Sequence, residues 1–253
     1  MFTVEHRFNE KFSMGIDNEG FYHTHDEINY LAMSQLPVKD GKWQPYGEEH
    51  VAVLKRIRHP GRLVHAGGGE GKIPVYGRWL GYDLEKLDWV PPFGYGRNSD
   101  VLLRFSEEVV HAQKSFMATM DVSFTNNPSA GFYVCKKDLR SDLKSVYEAD
   151  TNIEYKTEQA FTLSRKGRER TDTGLKEDEY WVFRTRTKVD VNGKLISAHY
   201  GKLYGRWGFY RGIQTGGVWF NPKPNDVNLE DEETARKSRI RLAQSQAKLR
   251  TRD

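Results

Sequence analysis

The residues best placed for chemistry form a repeated pattern of an aromatic residue, a glycine and a cation. Tyr-Gly-Arg-Trp occurs at 76–79 and at 204–207, and shorter versions occur at 95–97 and 200–202. Aromatic rings pack on the apolar faces of sugars, and the planar arginine guanidinium binds carboxylate or sulfate groups through two parallel hydrogen bonds. The repeat therefore predicts a surface that binds an acidic polysaccharide. Its predicted ligand-binding residues are Tyr76, Arg78, Trp79, Tyr95, Arg97 and Trp207.

The densest part of this pattern lies in a predicted strand. Alternate residues of a strand project to one face, so Tyr200, Lys202, Tyr204 and Arg206 are expected to share a face. A tyrosine can transfer a proton, and a cation can stabilise the charge that develops on a uronate during β-elimination. These four residues are the candidate catalytic residues. Their order is similar to the Tyr-x-Lys-x-x-x-Tyr strand motif of jelly-roll alginate lyases.

The repeat also has a purely structural interpretation. In that alternative the glycines lie at bends of the chain, the rings pack in the core and the arginines are exposed. The sequence therefore leaves open whether the protein is an enzyme, with lyase or glycosidase activity, or only binds its ligand.

Two further groups of residues could do chemistry. His23 and His25 would project from the same face of a strand and could together hold a divalent metal ion, although alternating surface histidines are the common alternative. Asp83, Glu85 and Asp88 follow the first tetrad closely. Paired carboxylates can act as acid and nucleophile in glycoside hydrolysis, but solvated charge after a strand is the simpler interpretation.

Period-two alternation of apolar residues dominates the chain and indicates half-buried strands. Residues 116–124 carry one clean apolar face. A hairpin is expected over 180–204 with Asn192-Gly193 at its tip in a type I′ turn, since both residues tolerate positive φ. On its first arm, the pattern predicts a core face at Trp181, Phe183, Thr185, Thr187 and Val189, opposite a cationic face.

Helical signals are few. Residues 139–148 could form a short helix, and the C-terminal segment begins with Asn228 or Asp231 as a capping residue and two glutamates in its first turn. Pro222 and Pro224 separate this segment from the strands. We therefore predict an all-β fold, an antiparallel two-sheet β-sandwich of jelly-roll type over 1–226, with a basic C-terminal helix or arm over 227–253.

Composition limits the function classes. Residues 231–253 hold seven Lys or Arg and four Asp or Glu, which leaves a charge of +1 for the rest of a chain whose total is +4. A nearly neutral body argues against nucleic-acid binding. The single cysteine, Cys135, excludes an intrachain disulfide, and no apolar run is long enough to span a membrane. Met1 leads directly into a strand-like segment, so no signal peptide is expected within this chain.

One wider resemblance concerns the C-terminal part of the chain. Residues 183–204, followed by Phe-Asn-Pro-Lys-Pro-Asn-Asp-Val-Asn-Leu-Glu at 220–230, resemble the C-terminal sheet of secreted bacterial β-sandwich proteins associated with polysaccharide use, of the jelly-roll or concanavalin-like kind. The resemblance implies a poly- or oligosaccharide ligand and an extracytoplasmic location, in the periplasm or at the cell surface. The alternative function is a structural or assembly protein that docks a partner through its basic C-terminal helix.

Overall fold

The computed structural model describes residues 55–67, 70–111, 114–138, 141–205 and 207–240, together with the strand segments 22–23, 38–39 and 42–43. Strands account for 47% of the structure and helix for 5%, and the paired strands are antiparallel. The predicted all-β class with a short C-terminal helix is therefore confirmed. The two-sheet arrangement of jelly-roll type stays a prediction.

The strands are short at the N-terminal end of the chain and long in its middle. In chain order they are β1 (Tyr22–His23), β2 (Val38–Lys39), β3 (Lys42–Trp43), β4 (Lys55–Arg56), β5 (Val64–Ala66), β6 (Glu70–Gly71), β7 (Leu80–Asp83), β8 (Asp88–Trp89), β9 (Val101–His111), β10 (Ser115–Ser123), β11 (Gly131–Lys136), β12 (Glu158–Lys166), β13 (Glu169–Asp172), β14 (Glu179–Val189), β15 (Leu195–Tyr204), β16 (Ile213–Gln214) and β17 (Gly217–Phe220). The helix α1 is described over 232–240.

Two sheets contain most of the long strands. One has six strands in the order β13-β12-β10-β9-β7-β8, and the other has five in the order β11-β14-β15-β17-β5. Side chains of both sheets contribute to one main core, in which the Phe161 ring of the first sheet lies 5.7 Å from the Trp181 ring of the second. On β10 the predicted apolar face is confirmed, because Ala118, Met120 and Val122 are buried in this core.

A second apolar cluster packs on the other face of the five-stranded sheet. It is rich in tyrosine, and its members are Tyr133, Ala149, Tyr155, Tyr180, Val182, Ala198, Tyr200 and Leu229. The predicted cationic face of β14, which includes Val182, is wrong at that residue, because Val182 is fully buried in this cluster. Segments outside these strands also contribute to the cluster. Burial by segments that are distant in the chain does not produce an alternation of apolar and polar residues in the strand sequence. We call this group the tyrosine cluster.

The β14–β15 hairpin forms with a different turn from the predicted one. A type I′ turn requires positive φ at both central residues. Gly193 has φ of +79°, but Asn192 does not have a positive φ. The Gly193 N–H donates to the Asp190 carbonyl, and the Asp190 N–H donates to the Lys194 carbonyl. This is a type I turn followed by a left-handed glycine. The Asp190 carboxylate selects it by accepting hydrogen bonds from the N–H groups of Asn192 and Lys194.

The chain divides into two compact units, and the predicted boundary between 226 and 227 stays a prediction. Unit 1 contains residues 1–60, 138–144 and 230–253, and unit 2 contains 61–137 and 145–229. Both large sheets belong to unit 2.

Within unit 1, the start of the helix matches the prediction. The carboxylate of Asp231 accepts a hydrogen bond of 2.7 Å from the Thr234 N–H, which confirms Asp231 as the capping residue of α1. The predicted helix over 139–148, which extends from unit 1 into unit 2, is absent from its described part, 141–148, which forms bends and one isolated bridge at Glu148.

Candidate functional site

The first Tyr-Gly-Arg-Trp tetrad lies at the surface of unit 2, immediately before β7. The side chain of Trp79 is 41% exposed, and the Arg104 guanidinium lies over its ring at 4.6 Å from the ring centroid. Asp121 in turn holds Arg104, since its Oδ2 atom is 3.0 Å from Nε and 2.9 Å from an Nη atom of the guanidinium. Trp79 is thus an exposed ring whose orientation is supported by a charge-paired arginine.

Hydroxyl groups lie beside this ring on the same sheet face. Ser106 and Thr119 are opposite each other on β9 and β10, with 2.6 Å between their hydroxyl oxygens, and Thr162 on β12 is opposite Thr119. Alternation places these residues on the face away from the main core, because the intervening Phe105 is buried in it. We call the set Trp79, Arg104, Ser106, Thr119 and Asp121 the Trp79 surface.

Tyr76, from the same tetrad, makes its contact on the other side of β9. Its hydroxyl donates to the Glu107 carboxylate at 3.1 Å, and partial burial together with this carboxylate raises the pKa of Tyr76. Glu107 and Arg104 are three positions apart on a strand, so their side chains project to opposite faces. Tyr76 and Trp79 therefore do not form one surface. Arg78 between them is exposed.

Tyr95 and Arg97 lie on a loop at the other end of β7. Tyr95 is 92% exposed at the tip of this loop, and Arg97 is also exposed. Two carboxylates hold the loop: Asp88 accepts a hydrogen bond from the Tyr95 N–H at 2.7 Å, and Asp83 accepts bonds from the Arg97 and Asn98 N–H groups at 2.8 and 3.0 Å. The aromatic side chain is exposed while its backbone is fixed.

The candidate catalytic residues described on β15 are buried or pack against the tyrosine cluster. Tyr200 and Lys202 are 3% and 1% exposed, and the Lys202 ammonium donates to the Leu229 carbonyl at 2.7 Å and to the Ser145 hydroxyl at 3.1 Å. Tyr204 packs against the tyrosine cluster, with its ring 5.1 Å from that of Tyr180. A polysaccharide cannot reach Tyr200 or Lys202 in this arrangement, so the structure gives no support to a catalytic role for either.

Trp207 belongs to the main core rather than to a binding surface. It is 5% exposed, and its ring lies 6.2 Å from those of Tyr82 and Trp181. The structure gives no support to its predicted contact with ligand, because its ring is covered by other core side chains. Arg206 lies outside the described residues.

The two tetrads share a backbone requirement that explains the repeat. Gly77 has φ of +77° and Gly205 has φ of +88°, a left-handed conformation that residues with a side chain rarely adopt. Each glycine allows the chain to turn sharply next to a strand. This supports the structural interpretation of the repeat. In that interpretation the glycine is needed for the bend, and the surrounding fold determines whether the neighbouring rings are buried or exposed.

The predicted metal site falls largely outside the described residues. His23 is described only as a position in β1, and His25 lies outside the described residues. Within the described part of the chain, no group of three or more His, Cys, Asp or Glu residues could hold a metal ion.

Sequence reasoning missed a group of largely buried charges in unit 2. The Arg186 guanidinium binds Asp100 at 2.9 and 3.0 Å, Glu85 at 2.6 Å and Asp83 at 3.3 Å. Its face also lies over the Phe220 ring, at 4.4 Å from the centroid. We call Arg186, Asp83, Glu85 and Asp100 the Arg186 cluster. The simpler interpretation from the sequence, solvated charge, does not hold for Asp83, which is fully buried, as is Asp100.

Backbone geometry aims Arg186 into this cluster. Arg186 has φ of +50°, and the pairing of β14 with β15 is irregular between Thr185 and Lys188. Such a bulge redirects a side chain that regular alternation would send to the other face. The Thr185 hydroxyl donates to the Asp100 carbonyl at 3.0 Å, next to the arginine. A Thr-Arg-Thr-Lys run alone carries no signal for a bulge at its arginine.

The Arg186 cluster has more negative than positive groups. Burial raises the pKa of Asp100, an effect that its hydrogen bonds and ion pair with Arg186 oppose and that nearby Asp83 reinforces. Asp83 is satisfied mainly by backbone, since it also accepts hydrogen bonds from the N–H groups of Glu85 and Lys86. The cluster is built to hold loops together, and its carboxylates are occupied with protein donors rather than open to a substrate.

Comparisons with known proteins add no assignment. No family model, no curated protein and no solved structure matches this chain. Among the described residues, no helix is long and apolar enough to cross a membrane.

Proposed function

We propose that the protein is a carbohydrate-recognition protein, a β-sandwich of jelly-roll type that binds poly- or oligosaccharide at the Trp79 surface. The observation that carries this proposal is the Trp79 ring, which stays 41% exposed although Arg104 and Asp121 support it. An exposed ring with one supported face offers its remaining surface to the apolar face of a sugar. The neighbouring hydroxyls of Ser106 and Thr119 offer hydrogen bonds to sugar hydroxyls.

Preorganisation supports this choice over the other exposed aromatic residues near β7. Binding loses affinity when side chains must be ordered, by roughly 0.5–1.5 kcal/mol for each one immobilised. Trp79 and Arg104 are already held in the free protein, because Asp121 binds the guanidinium through two of its nitrogens. The loss of side-chain freedom on binding is correspondingly small.

Binding without catalysis is the form of the proposal that the geometry favours. Tyr200 and Lys202 are buried, and the carboxylates of the Arg186 cluster accept hydrogen bonds from protein groups. A general acid or base must come within hydrogen-bond reach of its substrate. The exposed arginines Arg78 and Arg97 leave an acidic polysaccharide as one ligand class to test.

The test is to measure binding to a panel of neutral, uronic and sulfated glycans, and then to replace Trp79 by alanine. For any glycan that binds, Trp79→Ala should weaken affinity by about tenfold or more, since tenfold corresponds to about 1.4 kcal/mol. Circular dichroism should show unchanged folding, because the side chain lies at the surface. Calorimetry or affinity electrophoresis provides the measurement.

Phe93→Ala is the matched control for this substitution. Phe93 is 45% exposed, close to the value for Trp79, but it lies on the loop at the other end of β7. Its replacement should leave glycan affinity unchanged. Equal losses in the two variants, or no binding to any glycan by the wild-type protein, would contradict the proposal.

A further inference from the structure

The row of residues that crosses the six-stranded sheet from Trp79 has a particular order. Arg104 on β9 is opposite Asp121 on β10, and Asp121 is opposite Ala160 on β12. Trp79 lies against Arg104 at the start of this row. The row thus consists of an aromatic ring, an ion pair between Arg104 and Asp121, and the exposed small side chain of Ala160.

The next row on the same face consists of hydroxyl residues. Ser106, Thr119 and Thr162 follow one another across β9, β10 and β12. Neighbouring strands are about 4.8 Å apart, so the three hydroxyl side chains span roughly two strand spacings in one direction. A polymer that lies along the first row would have these side chains at its flank.

The charges on the face of the six-stranded sheet that points away from the main core, its outer face, indicate the class of ligand. Across β9, β10, β12 and β13, strand alternation and register assign to it the cations Arg104 and Lys166 and the anions Glu108, Asp121, Glu158 and Glu169. Arg104 is paired with Asp121, and Lys166 is opposite Glu169. Glu108 and Glu158 remain as excess negative charge on the face, so a polyanion would be repelled.

We infer that the Trp79 surface takes an uncharged, hydroxyl-rich polysaccharide, whose chain crosses β9, β10 and β12 along the row Trp79–Arg104–Asp121–Ala160. This inference rests on the proposed function and names the ligand class for the same surface. It departs from the acidic ligand that the Tyr-Gly-Arg repeat predicts, because the arginine beside Trp79 already has its carboxylate partner. The sugar stacks on Trp79, and its hydroxyls contact Ser106, Thr119 and Thr162.

The experiment compares neutral polysaccharides, such as xylan, galactomannan and mixed-linkage glucan, with alginate, polygalacturonate and a sulfated glycan at low and high salt. At least one neutral polysaccharide should bind about tenfold more tightly than any acidic one at low salt, and its affinity should change little with salt. Glu108→Gln combined with Glu158→Gln should raise the affinity for polyuronates and leave neutral binding unchanged. Both side chains are exposed, so the variant is expected to fold.

The path of the chain is tested at Ala160. Ala160→Gln places a long uncharged side chain in the row and should weaken neutral binding at least threefold, whereas Val191→Gln, at a fully exposed position in the β14–β15 turn, should not. If only acidic glycans bind, with affinity lost in Arg78→Ala, the inference is overturned while the carbohydrate-binding function stands. If no glycan binds, the function itself fails, and an unchanged affinity in Ala160→Gln overturns the proposed path.

Discussion

Arg186 links three separate segments of unit 2, and no sequence pattern around it indicates this role. Its guanidinium joins Asp83 at the end of β7, Glu85 in the following turn and Asp100 before β9. These carboxylates in turn accept hydrogen bonds from backbone N–H groups of the same segments. Removing the arginine would leave buried negative charges next to one another, which is far less favourable than their desolvation as a paired group.

Arg186→Met should therefore destabilise the protein strongly. The substitution keeps an unbranched apolar stem next to the Phe220 ring but removes the cation from three carboxylates. Breaking a buried ion pair in this way costs about 3–5 kcal/mol of unfolding free energy. Urea denaturation followed by tryptophan fluorescence provides the measurement.

Arg170→Met is the control for an exposed ion pair. Arg170 binds Asp172 at 3.3 Å, and its side chain is 63% exposed. Pairs of this kind contribute about 0–1 kcal/mol. Arg186→Lys should fall between the two, because lysine restores the charge but cannot make two parallel hydrogen bonds to Asp100. Similar losses for Arg170 and Arg186 would show that the Arg186 cluster is not buried as described.

In the strands, the alternation of apolar residues predicts part of the observed structure but not all of it. The buried face of β10 and the position of the β14–β15 hairpin follow from alternation and from Asn192-Gly193. The pattern states which residues share a face, but it does not state what covers that face. Val182 lies on the face of β14 that alternation predicts to be cationic, yet it is buried in the tyrosine cluster by segments distant in the chain.

The loop after β8 depends on a glycine for close contact rather than for an unusual φ. A Cβ atom at Gly96 would lie 2.8 Å from the Asp88 carbonyl oxygen, 2.9 Å from the Asp83 Cβ and 2.9 Å from the Trp89 carbonyl oxygen. Gly96→Ala should therefore cost about 1–3 kcal/mol of stability, as overpacking does. It should also loosen the loop that carries Tyr95, which hydrogen exchange of the 93–98 amides would detect.

Gly67→Ala is the matched control for this loop. A Cβ atom at Gly67 would meet no other atom within 4 Å. The change should leave unfolding free energy unchanged or raise it by a few tenths of a kcal/mol, since alanine narrows the unfolded ensemble. A Gly96→Ala variant as stable as the Gly67→Ala variant would mean that the 91–98 loop packs less closely on Asp83 and Asp88.

At the scale of the whole molecule, the candidate site was only partly predictable. Tyr76 and Trp79 were named because their residue types suit sugar binding, and both are exposed. They lie on opposite sides of β9 because of the path that the tetrad takes along that strand. The sequence of the tetrad alone does not determine this path. Arg104, Ser106, Thr119 and Asp121 could have been found only from the register of β9 and β10.

Global stability should depend on pH through Asp100. Burial raises the pKa of this carboxyl in the folded state above its ordinary value of 3.8, so the folded protein holds its proton more tightly than the unfolded chain does. The contribution of protonated Asp100 is fully present below the ordinary pKa and is lost as pH rises through the folded-state pKa. Relative to an Asp100→Asn variant, the wild-type protein should therefore become less stable as pH increases from 3.8 through that higher value.

Denaturation at several pH values between about 4 and 7 would measure this, a range in which tyrosines do not titrate. The difference in unfolding free energy, wild type minus Asp100→Asn, should fall as pH rises and then level off. In the Arg186→Met background the fall should continue to higher pH, because the guanidinium that opposes the shift is gone. A difference that instead grows with pH would mean that ionised Asp100 stabilises the fold, with the ion pair to Arg186 outweighing the desolvation of the carboxylate.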